Sequence, residues 1–423
     1  MTVGRNWSEP WYAVYGLLAI AAVGITPLLL PQYVNRGGHA AAVGLVMAAF
    51  NLGGLSAPIW GRMAERRLHK PLLLFGLAAV TIGLALLPAS SGAAAWSTFA
   101  LLQGAGIAAV STVAGLLIVE RHPREEWDQR MGWLLTFFGG GQVVGLLVAS
   151  LFSGVRSGVG LLVAAGLVAA AIPLAAIFVR TPPPPASPVR AGPQPTRIPH
   201  VPATPASVHH HFGQVSWGEF ISAIRSPFGL FIASNTITIM GAALIFTAYP
   251  LLFAGTYGVT PARSSLAFGI SAVLAIFWYP MAGAVSQRRS PIAVQVFWLL
   301  ARCAGLGILL AMTLVSVPFA GWWAESGFLV VVNSWPFISV SGTVLAASLA
   351  PADEGTAMGI YNGSTAIANT VGAFLTGAIA QAFGYRVLPL FALGTVLPGI
   401  LLLLPLCRRT AKARHNSIGA SYG

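Results

Sequence analysis

The sequence predicts an all-α polytopic membrane protein, with twelve transmembrane helices in two parallel six-helix repeats. Three observations carry that expectation. The 423 residues are 56% hydrophobic and only 8% charged, with a mean hydropathy of +0.78, too little charge to cover a water-facing surface. The apolar residues gather in continuous runs of about 20, the length that crosses a bilayer as a helix. Finally, Pro58-x-x-Gly61-x-x-x-Glu65-Arg66-Arg67 returns as Pro280-x-x-Gly283-x-x-x-Gln287-Arg288-Arg289, offset by 222 residues. Met131-Gly132 with Val144-Gly145 returns as Met358-Gly359 with Val371-Gly372, offset by 227. Either match alone is weak in a chain rich in Gly and Arg, but their near-equal offsets point to one unit used twice.

The runs, in order, alternate with connections of two kinds. Run 11–34 leads to a loop with the single base Arg36, and run 42–62 to Arg62, Arg66, Arg67 and Lys70. Run 71–89 leads to a loop without a base, and run 94–119 to Arg121, Arg124 and Arg130. Run 131–153 is followed by Arg156, and run 158–180 by Arg180, Arg190, Arg197 and Arg225. In the second half, runs 228–253, 262–285 and 292–317 are followed by Arg263, by Arg288 and Arg289, and by no base. Runs 326–349, 356–382 and 388–407 complete the set; Arg386 precedes the last, and Arg408, Arg409, Lys412 and Arg414 follow it. Hydrocarbon offers backbone groups no partners, so each run must be helical. The alternating segments of an outer-membrane barrel are not seen.

The net charge of +13 is therefore a matter of orientation. Bases concentrate on alternate connections, which by the positive-inside rule puts both termini in the cytoplasm and the chain in the cytoplasmic (inner or plasma) membrane. No domain is left to carry a basic groove, so nucleic acid is not an expected partner. The first run has neither the length nor the flanks of a cleaved leader. Cys303 and Cys407 lie apart in apolar runs and imply neither a disulfide framework nor a metal site.

Four regions follow: a six-helix bundle over 1–180, a linker over 181–226, a second bundle over 227–407 and a basic tail over 408–423. The linker has ten prolines between 182 and 205 and cannot bury enough surface to offset ordering. His209, His210 and His211 are adjacent and would point apart, with no other ligand nearby, so a metal centre is not expected there. Ser216-x-x-Glu219 has the form of a capping box, and Trp217, Phe220, Ile221 and Ile224 follow with helical spacing. This is either an amphipathic helix on the membrane face or an extension of the seventh helix.

The segment Gly61-Arg62-Met63-Ala64-Glu65-Arg66-Arg67-Leu68-His69-Lys70 resembles the loop signature of the major facilitator superfamily, with Glu65 where Asp is usual and Leu68-His69 in place of Gly-Arg. Twelve helices, a long central linker and the parallel repeat agree with that family over essentially the whole chain. The resemblance implies a monomeric carrier whose halves rock about a central site. It also implies a gate built from Gly61, Glu65, Arg66 and Arg67, and from Gly283, Gln287 and Arg288 in the second half. In that gate Glu65 meets the positive start of the eleventh helix near Gly355–Ala357. Gln103-Gly104-Ala105-Gly106 resembles the fourth-helix motif of proton-coupled drug exporters, although Ala100 stands where those exporters have arginine. In the fifth helix Gly141 and Gly145 fit the exporter motif, while Leu146 replaces its proline.

Family architecture puts helices one, four, seven and ten around the cavity. Their polar residues are Thr26, Gln32, Gln103, Ser111, Asn235, Thr238, Asn333, Ser334 and Ser341. On the eleventh helix Asn362, Thr365 and Asn369 fall at i, i+3 and i+7, and Trp335 and Tyr361 could stack on a substrate. Each of these could instead bond a neighbouring helix. No acidic residue falls inside a run, so an intramembrane carboxylate relay is not expected. Arg302 is the one charge near a helix midpoint; it must face protein or water, attract an anion, or snorkel.

The expected function is secondary transport of a small molecule by alternating access, with export of amphipathic compounds first and uptake of a neutral nutrient or metabolite second. A membrane-embedded sensor is the remaining class. No acid pair, catalytic domain or G-x-x-x-x-G-K-[ST] phosphate loop is present, so neither an enzyme, nor ATP coupling, nor a cofactor is expected.

Overall fold

A computed structural model describes residues 9–65, 68–122, 126–179, 226–315, 318–349 and 354–420. The expectations for the Pro-rich linker, the histidine run and the capping box at Ser216 fall outside these residues. The described residues contain twelve helices long and apolar enough to span a membrane. We number them α1 (Tyr12–Gly37), α2 (Ala40–Ala64), α3 (His69–Leu86), α4 (Ala93–Ile118), α5 (Trp133–Phe152) and α6 (Ser157–Phe178). The second half has α7 (Pro227–Phe246), α8 (Pro261–Ser286), α9 (Pro291–Leu314), α10 (Ala320–Ser348), α11 (Ala357–Phe383) and α12 (Tyr385–Arg408).

Three starts in the second half share one device. Ser226, Thr260 and Ser290 stand immediately before Pro227, Pro261 and Pro291. Proline fits the first helical position because its missing N–H would have no partner there. Ser226 Oγ also accepts from Gly229 N at 2.9 Å, closing an otherwise open donor.

The repeat seen in the sequence recurs in three dimensions. Gly154 and Gly384, after α5 and α11, have φ of 77° and 79°, each followed by a single 3-10 turn. Side chains avoid that backbone region, so glycine permits the turn in both halves. Gly145 and Gly372, paired in the sequence, both sit at helix crossings. A Cβ on Gly145 would lie 2.8 Å from Gly24 Cα of α1, and one on Gly372 would lie 2.8 Å from Met240 O of α7. Small residues here let backbones approach where lipid supplies no hydrophobic drive.

Four helices are interrupted. In α1, residues Ile20–Ile25 form a π-helical turn, and Thr26 Oγ donates to Ala21 O at 2.7 Å. Such widened turns free carbonyls that a side chain can take. The α2 path breaks at Leu55–Ser56, and α7 resumes beyond Thr247 as a short helix, Tyr249–Thr256. In α10, Ala320–Asn333 gives way at Ser334 to Trp335–Ser348; Pro336 cannot continue the hydrogen-bond ladder there.

The halves meet through α2 against α11 and α5 against α8. Hydrogen bonds that cross between the halves include Asn51 Nδ2 to Asn369 O (3.4 Å), Ser153 Oγ with Ser265 Oγ (3.4 Å) and Tyr385 OH to Asn35 Oδ1 (2.8 Å). The last two lie at the face opposite the termini and the first near mid-depth. Toward the terminal face several residues of both halves are uncovered. Pro58, Ile59 and Arg62 are exposed, and a Cβ on Gly283, Gly359 or Gly363 would meet nothing within 4 Å.

Candidate functional site: a cavity between the halves

Between the halves lies a cavity of about 440 Å³. Val23 of α1 and Phe138 and Gln142 of α5 line one side. The other side is Ile239, Ala242 and Phe246 of α7; Phe268, Ser271, Ala272, Ala275 and Tyr279 of α8; Val332, Trp335 and Pro336 of α10; and Asn369 of α11. Five aromatic rings therefore share the wall with the neutral amides of Gln142 and Asn369, with the Tyr279 hydroxyl and the Trp335 N–H as further polar tips, while Ser271 is fully buried and its Oγ donates to Ala267 O at 3.2 Å. No charged side chain forms part of this wall. Ligand sites of this kind take orientation from the few polar groups and affinity from the apolar surface.

Of the residues picked from the sequence, Trp335 and Asn369 lie in this wall. Ser111 lines a second cavity of about 250 Å³ between α2 and α4, with Asn51, Gly54 and Thr112. Asn51 connects the two regions through its bond to Asn369 O. Asn362 is exposed. Asn235 Nδ2 donates to Thr365 Oγ at 3.1 Å, tying α7 to α11.

The remaining candidates are held within the bundles, most of them by hydrogen bonds. Thr26 closes the π turn, and Gln32 Oε1 accepts from Gly154 N at 2.7 Å, bracing the positive-φ turn after α5. Gln103 is buried against α3, where a Cβ on Gly83 would lie 2.7 Å from its Cγ. Thr238 Oγ donates to Ser234 O at 2.9 Å. Asn333 Oδ1 accepts from Trp278 Nε1 at 2.8 Å, and Ser341 Oγ donates to Gln295 Oε1 at 2.5 Å. Tyr361 is buried and stacks on Phe231, with ring centroids 5.9 Å apart. Ser334 accepts from Arg302 Nε at 3.0 Å. Arg302 itself is fully buried, so it faces protein and does not snorkel to the membrane surface.

Among the gate residues, Gly61 and Gly283 lie on helices beside open space; a Cβ on Gly61 would meet only the Thr112 methyl at 3.8 Å. Arg288 is exposed at the end of its helix. Arg66 and Arg67, and the side chains of Glu65 and Gln287, fall outside the described residues.

The sequence reading missed α5 and α8. Gln142, Ser271 and Tyr279 were legible only as isolated polar positions in apolar runs, without a spacing that singled them out. At the far end of α8, Arg263 pairs with the nearly buried Glu325 of α10, and its guanidinium lies 3.7 Å over the Trp322 ring.

The comparisons with known proteins agree with this architecture. The tetracycline resistance protein, class E, of Escherichia coli is 29% identical over 126 residues, 29% of this chain and 31% of that protein; the match thus spans about a third of the relative's length. Among solved structures, the nucleoside transporter NupG superposes with a TM-score of 0.71 at 13% identity, covering 94% of this chain and 97% of that one. A bacterial homolog of the human lysosomal transporter Spinster, inward-facing and unoccupied, gives 0.68 at 15%, covering 93% of both chains. A D-xylose-proton symporter gives 0.64 at 14%, covering 93% and 96%. At these identities the likeness is one of fold. The sequence profile of the Major Facilitator Superfamily matches residues 12–354, and the chain belongs to that family of membrane transporters.

Proposed function

We propose that this protein exports small amphipathic molecules by alternating access, loading them from the face that carries the termini. The observation behind this reading is the lining of the 440 Å³ cavity: aromatic rings, a few neutral hydrogen-bonding groups and no charge. That volume suits a drug-sized molecule. Phe138, Phe246, Phe268, Tyr279 and Trp335 would stack on its apolar part, and Gln142 and Asn369 would orient a polar edge. Thr26, Gln32, Gln103, Asn235, Thr238, Asn333 and Ser341 serve in this reading to hold the helices that build the cavity. The tetracycline resistance relative supports export over uptake, over the stretch that it matches.

In the proposed cycle the α2–α11 and α5–α8 contacts close the far face while the terminal face admits substrate. Glu65 then latches the terminal face when the halves rock the other way. The termini are proposed to lie in the cytoplasm, since the bases concentrate on their side. Purified protein in liposomes, assayed for flux of a compound panel, tests the reading. Flux of lipophilic aromatic compounds, reduced by Trp335→Ala, is expected. Flux confined to small hydrophilic sugars or nucleosides would replace export with uptake.

A further inference from the structure

Arg302 lies midway along α9 with none of its surface exposed. A guanidinium stays protonated in proteins, and a charge removed from water without full partners is costly. Its Nε donates to Ser334 Oγ at 3.0 Å, and Ser334 Oγ donates onward to Val331 O at 2.7 Å. Nη1 and Nη2 carry the other four N–H groups and have no hydrogen-bond partner. Among the described residues no carboxylate pairs with this guanidinium. Its remaining compensation is the Trp335 ring, 5.9 Å from Cζ, at the edge of cation–π range.

The location adds a second observation. Ser334 and Trp335 are consecutive at the joint in α10, and Trp335 is also part of the central cavity's wall. The buried charge therefore sits one side chain behind a cavity that has no charge of its own.

We infer that Arg302 is an anion anchor, whose Nη1 and Nη2 receive a carboxylate or another small anion from the cavity when Trp335 turns aside at the joint. The two terminal nitrogens form a planar fork that matches two carboxylate oxygens. The anion is either an acidic group on the transported molecule or a free ion that accompanies it. This rests on the cavity being the substrate path; where the anion is the transported molecule's own group, it narrows the substrate to amphipathic molecules with one anionic group.

The test uses the purified full-length protein and three probes: benzoate, its neutral isostere benzamide, and sodium chloride. Calorimetric affinity and the thermal unfolding midpoint are read for wild type, R302Q and R302K. Benzoate should bind wild type at least tenfold tighter than benzamide and raise the midpoint; R302Q should abolish that preference and R302K retain part of it. An Arg302-dependent response to chloride that competes with benzoate identifies a free ion, and a response to benzoate alone identifies the substrate's own group; both support the anchor. Equal binding of benzoate and benzamide with no effect of chloride overturns it, as does a preference that survives in R302Q. Should R302Q not fold, the wild-type and R302K measurements still decide. Export of neutral amphipaths with no anion preference would remove the anchor and leave the export reading standing.

Discussion

Replacing Gly377 with valine should open the face that this structure holds shut. A Cβ at position 377 would lie 2.7 Å from Gly44 Cα, 2.8 Å from Gly44 N and 2.8 Å from Ala40 O. All three are backbone atoms of α2, so no flexible side chain can swing away, and the strain must be relieved by moving one helix. Overpacking of this kind costs about 1–3 kcal/mol. The contact is between the halves, so their separation removes the cost. The closed conformer alone bears the penalty, and the equilibrium should shift toward the opposite opening by about 5- to 150-fold. The assay uses a background with Cys303→Ser and Cys407→Ser, and a single reporter, Gln142→Cys, in the cavity wall. A membrane-impermeant maleimide applied to the face opposite the termini should label the G377V reporter faster than its parent, and from the terminal face more slowly. Gly363→Ala, where a Cβ meets nothing within 4 Å, should change neither rate. Unchanged labelling of G377V in a folded protein would mean that the strain is absorbed within one half and that this contact does not hold the face shut.

Other expectations follow from the same geometry. Trp335→Ala should weaken binding of an aromatic substrate by about 2- to 12-fold, the worth of one aromatic pair, as read by KM in flux assays; an unchanged KM would take Trp335 out of the contact surface. Arg263→Gln leaves Glu325 nearly buried without its ion pair and should lower stability by about 1–3 kcal/mol, seen as a lower Tm that Glu325→Gln partly restores. A double-mutant cycle on Asn235 and Thr365, bonded at 3.1 Å, should give a coupling of about 0.6 kcal/mol, with no coupling if the pair does not form in the membrane. A pH gradient alone should not concentrate a permanently uncharged substrate in liposomes, since the cavity wall has no carboxylate; accumulation against its gradient would reveal a coupling acid elsewhere, with Glu120 the first residue to substitute.

Composition and spacing along the chain were enough to set the solvent, the number of spans and the twofold use of one unit. These depend on properties that accumulate along the chain. About 20 apolar residues force a helix wherever they occur, and the spacing of Gly145 and Gly372 survives because both crossings need a small residue at the same register. Tertiary structure decided which polar residues face the cavity. Thr26, Gln32 and Thr238 looked like cavity residues because helices one and seven carry them, yet each meets a backbone group on its own or a neighbouring element. In an apolar helix a hydroxyl or amide needs a partner whichever way it points, so its presence in the sequence is the same for a bonded and a cavity-facing group. Helical phase and the joints at Ile20–Ile25 and Ser334 set that direction, and the joints are invisible to a count of apolar residues. Arg302 shows the division most plainly. Sequence placed a charge at mid-span, and only the packing of α9 against α10 turned it away from lipid, onto Ser334 and behind the ring of Trp335.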